Sequence, residues 1–329
     1  MIPVTILTGF LGSGKTTLLK RILTEAHGMK ISVIENEFGE ENIDNEILVH
    51  ENTEQIVQMS NGCICCTIRG DLVRTLLDLN RQRDQGKFLF DRVIIETTGL
   101  ANPGPVAQTF FVDDEIAETY RLDAIITLVD AKYGHQHLDQ NEVVQRQIGF
   151  ADSLFITKGD LVSVDVLSDL KYRLTQMNPR APQQLVNFGR ADLKNIFDIH
   201  GFNLNDKLNI DSEFLATDGC EYAHCDHPHH DDAIKSFVFC SERAFNRSKL
   251  EDFLRSVLQK YGDCLLRYKG ILNMDGIDHQ IVFQGVHQLM GTDVGRPWQG
   301  GETPNTKMVF IGVNLPKAMI LEGLERCLT

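Results

Sequence analysis

The chain contains no run of about 18 consecutive apolar residues, so no transmembrane helix is expected. Its opening residues, Met1-Ile2-Pro3-Val4, carry neither the basic start nor the small-residue cleavage site of a secretory signal, and the cytoplasm is the expected compartment. Basic charge is scarce: 32 Lys and Arg stand against 46 Asp and Glu, a net charge of −14. That balance argues against a general nucleic-acid binder and against a reader of acidic membranes. It does not exclude a nucleotide, because one glycine loop with one Lys suffices locally. Trp occurs once, at Trp298, which reads as a packing residue, and no internal repeat is found. Eight cysteines in a cytosolic chain point to ligands, redox groups or core residues rather than disulfides. Cys63, Cys65 and Cys66 sit within four positions, a clustering that random core usage does not produce.

What is present begins near the N-terminus. Gly9-Phe10-Leu11-Gly12-Ser13-Gly14-Lys15-Thr16 fits the pattern Gly, four residues, Gly-Lys-Ser/Thr. The apolar, β-branched run Ile2 to Thr8 before it reads as a buried strand, and Thr17 to Leu23 after it as a helix with an apolar stripe. Strand, glycine loop and helix are the context in which such a loop holds phosphate. Glycines let the backbone curl and aim N–H groups inward, and the helix N-terminus adds partial positive charge. Gly9, Gly12, Ser13, Gly14, Lys15, Thr16 and Thr17 are the candidate nucleotide contacts. Lys15 is placed to reach β- and γ-phosphates, and the Thr16 hydroxyl to ligate Mg²⁺.

The length of 329 residues accommodates two domains of roughly 100–200 residues each. A second strand, Lys30 to Ile34, runs into Glu35-Asn36-Glu37-Phe38-Gly39-Glu40, where Glu35 and Glu37 share a face if extended. Glu35, Glu37 and Glu40 are candidate metal or Mg²⁺-water ligands, and Glu41 reads as solvated. A short strand, Glu54 to Met59, precedes Cys63-Ile64-Cys65-Cys66 and a helix from about Arg69 to Arg83. Thiolates at that place are soft ligands suited to Zn²⁺ or Cu(I), with a redox pair or buried core cysteines as the alternatives. Asp91 to Gly99 is a strand ending in Glu96. In proteins with this loop such an acid contacts the Mg²⁺ shell and the glycine amide senses the γ-phosphate, so Leu100 to Gly104 is a candidate switch. Pro103 and Pro105 suggest a rigid turn there.

Leu122 to Asp130 is a further strand, and about Gln136 to Gly149 reads as one helix, with His135 and His137 read as surface histidines against the alternative of exposed metal ligands. Ser153 to Ile156 leads into Thr157-Lys158-Gly159-Asp160, an Asn/Thr-Lys-x-Asp pattern. Asp160 can accept from two donors on the guanine edge, and the Lys158 stem can cover the base. Gln183 to Asn187 is the last strand, with Asn187 near the base. Alternating strands and helices predict an α/β domain, a mostly parallel sheet covered on both faces, over 1–200. Residues 201–232 form a Cys- and His-containing linker in which His227 and His229 are candidate ligands, against a merely polar linker. Residues 233–329 form a smaller α+β domain with no catalytic constellation, read as regulatory or partner-binding. Its expected elements are a strand Ile234 to Phe239, a helix Lys249 to Lys260, strands near 265–269, 279–283 and 307–311, a turn at Arg267 to Gly270, and a final helix from Pro316.

Together these motifs resemble the CobW/YjiA-type family of P-loop GTPases, relatives of the urease and hydrogenase metallochaperones, and most nearly its YjiA branch. The resemblance runs in order through the glycine loop, Glu35 to Glu40, Cys63 to Cys66, Glu96 to Gly99 and Thr157 to Asp160. It continues into Arg267-Tyr268-Lys269-Gly270-Ile271 and Val309-Phe310-Ile311-Gly312-Val313-Asn314-Leu315-Pro316. It implies a P-loop NTPase fold, GTP hydrolysis with Mg²⁺, Zn²⁺ binding through the Cys-x-Cys-Cys region and neighbouring carboxylates, and a client metalloprotein. The catalytic candidates are Lys15, Thr16 and Glu96. Gly99, Thr157, Lys158, Asp160 and Asn187 complete the nucleotide contacts. Self-association is left open. The chain lacks the additional N-terminal Lys of some related ATPases, so help from a partner's Lys is not supported. No Gln or Arg is evident to orient water, and Leu100 stands where other GTPases place a polar residue, so slow isolated turnover is expected. The alternatives are a metal store or sensor with GTP as a structural ligand, and a small-molecule kinase.

Overall fold

Runs of β-branched and aliphatic residues with no polar alternation fit strands covered on both faces, and such strands favour parallel sheets. The computed structural model describes residues 1–25, 28–35, 55–58, 67–202, 232–299 and 301–329. Two compact units separate. One comprises Met1–Gln147, Ala151–Leu167 and Gln183–Gly201, the other Ile148–Phe150, Ser168–Pro182 and Phe202–Thr329.

In the first unit, strands β1 (Ile2–Gly9), β2 (Ile31–Glu35), β3 (Gln55–Gln58), β4 (Arg92–Glu96), β5 (Tyr120–Asp130), β6 (Ser153–Thr157) and β7 (Gln183–Val186) build one sheet. Their order is β3-β2-β4-β1-β5-β6-β7, and every pairing is parallel. The helices that follow these strands in the chain are α1 (Lys15–Thr24), α2 (Thr67–Asp84), α3 (Pro103–Val112), α4 (Asp114–Thr119), α5 (Gly134–Gln140), α6 (Glu142–Phe150) and α7 (Val164–Met177), with the last three residues of α6 and most of α7 counted in the second unit. Leu18, Leu19 and Ile22 recur at helical spacing on α1 and pack with Leu7, Ile94, Ile126, Leu128 and Phe155 of the sheet. The Tyr120 phenol donates to the Leu76 carbonyl at 2.8 Å, tying α2 to β5.

Three local expectations change. The helix expected over about 136–149 is two, α5 and α6, because Asn141 leaves the helical region (φ −135°) and its N–H and side-chain amide both donate to the His137 carbonyl. Pro103 does not make a rigid turn. It starts α3, where its missing N–H costs nothing, and the Asn102 side chain caps the helix by accepting from Gly104 N at 3.0 Å. Arg267 to Gly270 lies within a strand rather than a turn.

The second unit holds an antiparallel sheet of β8 (Ile234–Ser241), β9 (Leu265–Leu272), β10 (His279–Val286), β11 (Leu289–Pro297) and β12 (Thr306–Val313), in the order β11-β10-β9-β12-β8. Helices α8 (Arg247–Tyr261) and α9 (Lys317–Arg326) pack with it. Leu250, Leu254, Val257, Ile320 and Leu324 join Phe237, Tyr268, Phe283 and Phe310 in one core. Strand β11 was not expected: as an edge strand it is exposed along most of its length, so its residues show no alternation. Among the described residues no helix is long and apolar enough to cross a membrane.

Candidate nucleotide and metal site

Every predicted nucleotide residue lies at the carboxyl ends of β1, β4, β6 and β7, in the loops leaving them or in the first turn of α1, where parallel α/β sheets place ligands. The turn out of β1 demands glycine. Gly9 has φ +141°, and a Cβ there would stand 2.5 Å from the Leu128 carbonyl and 2.7 Å from Ser13 Oγ. Gly12 (φ +72°) and Gly14 (φ +98°) also occupy left-handed backbone, and Gly14 is the N-cap of α1. Ser13 is buried, and its Oγ finds no partner, a polar atom left pointing into the cradle's own wall. Lys15 folds back over the loop. Its Nζ donates to the Gly9 carbonyl at 2.9 Å and to Phe10 at 3.4 Å. Burial lowers the Lys15 pKa, and the Glu96 carboxylate partly restores it. Thr16 is half-buried and Thr17 exposed on the first turn of α1.

Leu7, Glu96 and Glu35 form one row across β1, β4 and β2. Glu35 is therefore one strand further from the loop than Glu96, and β4 lies between. Thr97 N donates to the Leu7 carbonyl at 3.0 Å, and Thr97 Oγ1 to Thr8 Oγ1 at 2.7 Å, so the start of the candidate switch segment is fastened to β1. Gly99 is needed for close approach: a Cβ there would lie 2.6 Å from Leu11 N. The Thr16 hydroxyl and the Glu96 carboxylate are oxygen donors of the kind Mg²⁺ takes, and their chemistry fits that ion.

The base-reading candidates are assembled by β6 and β7, whose register pairs Thr157 with Val186 and so brings Lys158 and Asn187 to neighbouring strand ends. Thr157 turns out to be a strut. Its buried hydroxyl donates to the Ser13 carbonyl at 2.8 Å and to Val129 at 3.3 Å, joining the base loop to the phosphate loop. Lys158 adopts left-handed backbone (φ +57°), and its Nζ donates to the Gly12 carbonyl at 2.9 Å and to Asp130 Oδ2 at 2.6 Å. Both ends of its stem are thus held. Asp160 is exposed on a 3₁₀ turn, Gly159–Leu161, and Asn187 is exposed beyond β7.

Sequence reasoning missed four contributors. Asp130 anchors Lys158 and accepts from the N–H groups of Lys132 and Tyr133; its place at the end of a buried strand was the available signal. His137 is not a bare surface histidine: its ring centroid lies 4.5 Å from that of Phe10, and burial lowers its pKa below 6.5, with Asp130 raising and Lys158 lowering it. Phe188, with φ +52°, is largely exposed beside Asn187. Gln147, on α6, donates from its side-chain amide to the carbonyls of Gly99 and Ala101.

The metal candidates divide differently. Glu35 is described and buried. Glu37, Glu40, Cys63, Cys65, Cys66, His227 and His229 lie outside the described residues. Among the described residues no group of three or more His, Cys, Asp or Glu is gathered as a metal site.

Residues 3–184 match the family described as CobW/HypB/UreG, nucleotide-binding domain, and residues 234–328 match the cobalamin synthesis protein cobW C-terminal domain. The chain is 41% identical over 322 residues to the zinc chaperone YjiA of Escherichia coli (strain K12), covering 97% of this chain and 96% of that protein. It is 33% identical over 316 residues to the zinc-regulated GTPase metalloprotein activator 1 of Schizosaccharomyces pombe, covering 88% of this chain and 76% of that one. Superposition on the crystal structure of Zn(II)-bound YjiA GTPase from E. coli gives a TM-score of 0.82 at 37% identity, covering 100% of this chain and 99% of that chain.

Proposed function

Because the chain belongs to the CobW/HypB/UreG family, we propose that it is a GTP hydrolase that couples nucleotide binding and hydrolysis to zinc homeostasis or to delivery of zinc to a client metalloprotein. The observation that carries this reading is the joining of two motifs at one sheet edge: the Thr157 and Lys158 side chains of the guanine-type motif both bond to carbonyls of the phosphate loop. The supporting relatives are named a zinc chaperone and a zinc-regulated GTPase activator.

In this reading the amides of Gly12 to Thr16 and the Lys15 ammonium take the phosphate oxygens, and Lys15 gives up its two carbonyl contacts in the loop to do so. Protonated Lys15 favours the charge that builds on the β–γ bridging oxygen as that bond breaks and water attaches to phosphorus. Thr16 and Glu96 would hold Mg²⁺, which when bound neutralises charge on the β- and γ-phosphates. Gly99 stands against the loop to sense the γ-phosphate. Asp160 selects guanine, Lys158 covers the base, and Asn187 borders it. Cys63, Cys65 and Cys66 with Glu35, Glu37 and Glu40 make up the proposed zinc set, and His227 and His229 collect ions. The proposed division is a GTPase domain 1–200, a joining segment 201–232 and a partner domain 233–329, supported by the two family matches. The proposed compartment is the cytoplasm.

Asp160→Asn tests the reading through its most specific claim. Preference should move from GTP toward xanthosine triphosphate, read as the ratio of kcat/KM for the two nucleotides. An unchanged ratio removes guanine recognition from this loop. Wild-type protein that retains GTP unhydrolysed, with zinc present, would instead favour a store or sensor.

A further inference from the structure

The switch segment after β4 is held at its start by Thr97 on β1 and at its end by the Asn102 cap of α3. Between them a side chain from α6 hydrogen-bonds to it. Gln147 of α6 is fully buried, and its Nε2 donates to the Gly99 carbonyl at 3.2 Å and to the Ala101 carbonyl at 3.1 Å. Its backbone carbonyl accepts from Thr127 Oγ1 at 2.8 Å, which locks that turn of α6 to β5. The other half of the amide, Oε1, is buried with no partner.

An unpaired buried carbonyl is costly, and an apolar side chain of the same length would avoid the cost. What Gln147 provides is therefore the two bonds of its Nε2. Their consequence is geometric. Among the described residues no cis peptide bond is present, so with the Gly99 carbonyl drawn inward to Gln147 the Leu100 N–H must point to the opposite side. The Leu100 residue is 60% exposed. The same glycine lies against Leu11 of the phosphate loop. One buried amide thus sets the orientation of the peptide plane next to the phosphate cradle.

We propose that Gln147 is a positioning residue that, by holding the Gly99 carbonyl, keeps Gly99 in the orientation in which its own amide can recognise a γ-phosphate, and so sets discrimination between GTP and GDP. The proposal rests on the GTPase reading above. Gln147 need not touch nucleotide, and it fills from behind the place where no water-orienting side chain was found.

Gln147→Met keeps length and volume, removes the donor and removes the orphaned carbonyl. Dissociation constants are measured for GDP and for guanylyl imidodiphosphate, with kcat for GTP and the melting temperature. The expected result is a melting temperature at or above wild type, GDP affinity within about twofold, and a loss of about tenfold in analogue affinity and in kcat, a coupling of ordinary size. A folded variant with the analogue-to-GDP ratio and kcat unchanged overturns the proposal. Should the variant not fold, the ¹⁵N resonance of the Gln147 side-chain amide in wild-type protein decides: it should shift when GDP is exchanged for the analogue, and an unmoved resonance overturns the proposal. Failure of the underlying reading looks different, since wild-type protein would then bind neither nucleotide.

Discussion

Single residues at this sheet edge carry charge and backbone strain. Lys158 accepts left-handed backbone, which costs a non-glycine residue about 1–2 kcal/mol, in return for bonds to Gly12 and Asp130 that reach across to the phosphate loop. His137 is the residue through which pH should act on the loop, since its ring lies against Phe10. Burial holds its pKa below 6.5. As pH falls through 6.5 the unfolded chain takes the proton first, so stability present above that value is lost down to the folded pKa and changes no further below it. Asp130 and Lys158 face the ring with opposite effects, and burial outweighs the former. The expected outcome is a decline in denaturation midpoint on moving from pH 7 to pH 5.5 that is steeper in wild type than in His137→Gln. Parallel profiles would show that the imidazole is not the group responsible.

At the scale of elements, the carboxyl edge of the parallel sheet does the gathering, and helix starts do the aiming. Helix α1 begins from Gly14 in a left-handed conformation with no side-chain cap, which leaves its first amides uncapped by protein side chains. Helix α3 is built the other way: Asn102 caps it and Pro103 opens it, so the switch segment has a firm distal end. Asn102→Ala should lower unfolding free energy by about 1 kcal/mol, the usual worth of an N-cap, and Asn102→Asp should restore most of it. Urea titration followed by circular dichroism reads both. Equal stability of all three proteins would mean the cap does not hold the segment.

Across the whole molecule the central expectation is thermodynamic linkage between zinc and GTP. If Zn²⁺ changes the affinity for GTP by some factor, GTP must change the affinity for Zn²⁺ by the same factor. Calorimetric titration of each ligand with and without the other should give matching factors of about fivefold or more, in the usual range for coupled sites. Cys65→Ala should bring both toward one while leaving zinc-free GTP binding intact. Factors of one in the wild type would mean the two ligands are independent, and a store or sensor would then fit better.

The sequence by itself determined the α/β architecture, because unbroken apolar strands alternating with striped helices have few other ways to bury themselves. It also determined the phosphate loop, since Gly9, Gly12, Gly14 and Lys15 answer to backbone geometry within eight residues. Short-range rules reached those features because the groups that interact are neighbours in the chain. They did not reach the break at Asn141, the unpatterned edge strand β11, or the conversion of Thr157 from a ligand candidate into a strut. Least of all did they reach Gln147, whose two acceptors lie 48 and 46 positions away. A glutamine in a helix carries no mark of what it will meet. Only the packing of α6 against the sheet decides which carbonyls it finds, and that packing is set by contacts between segments distant in sequence.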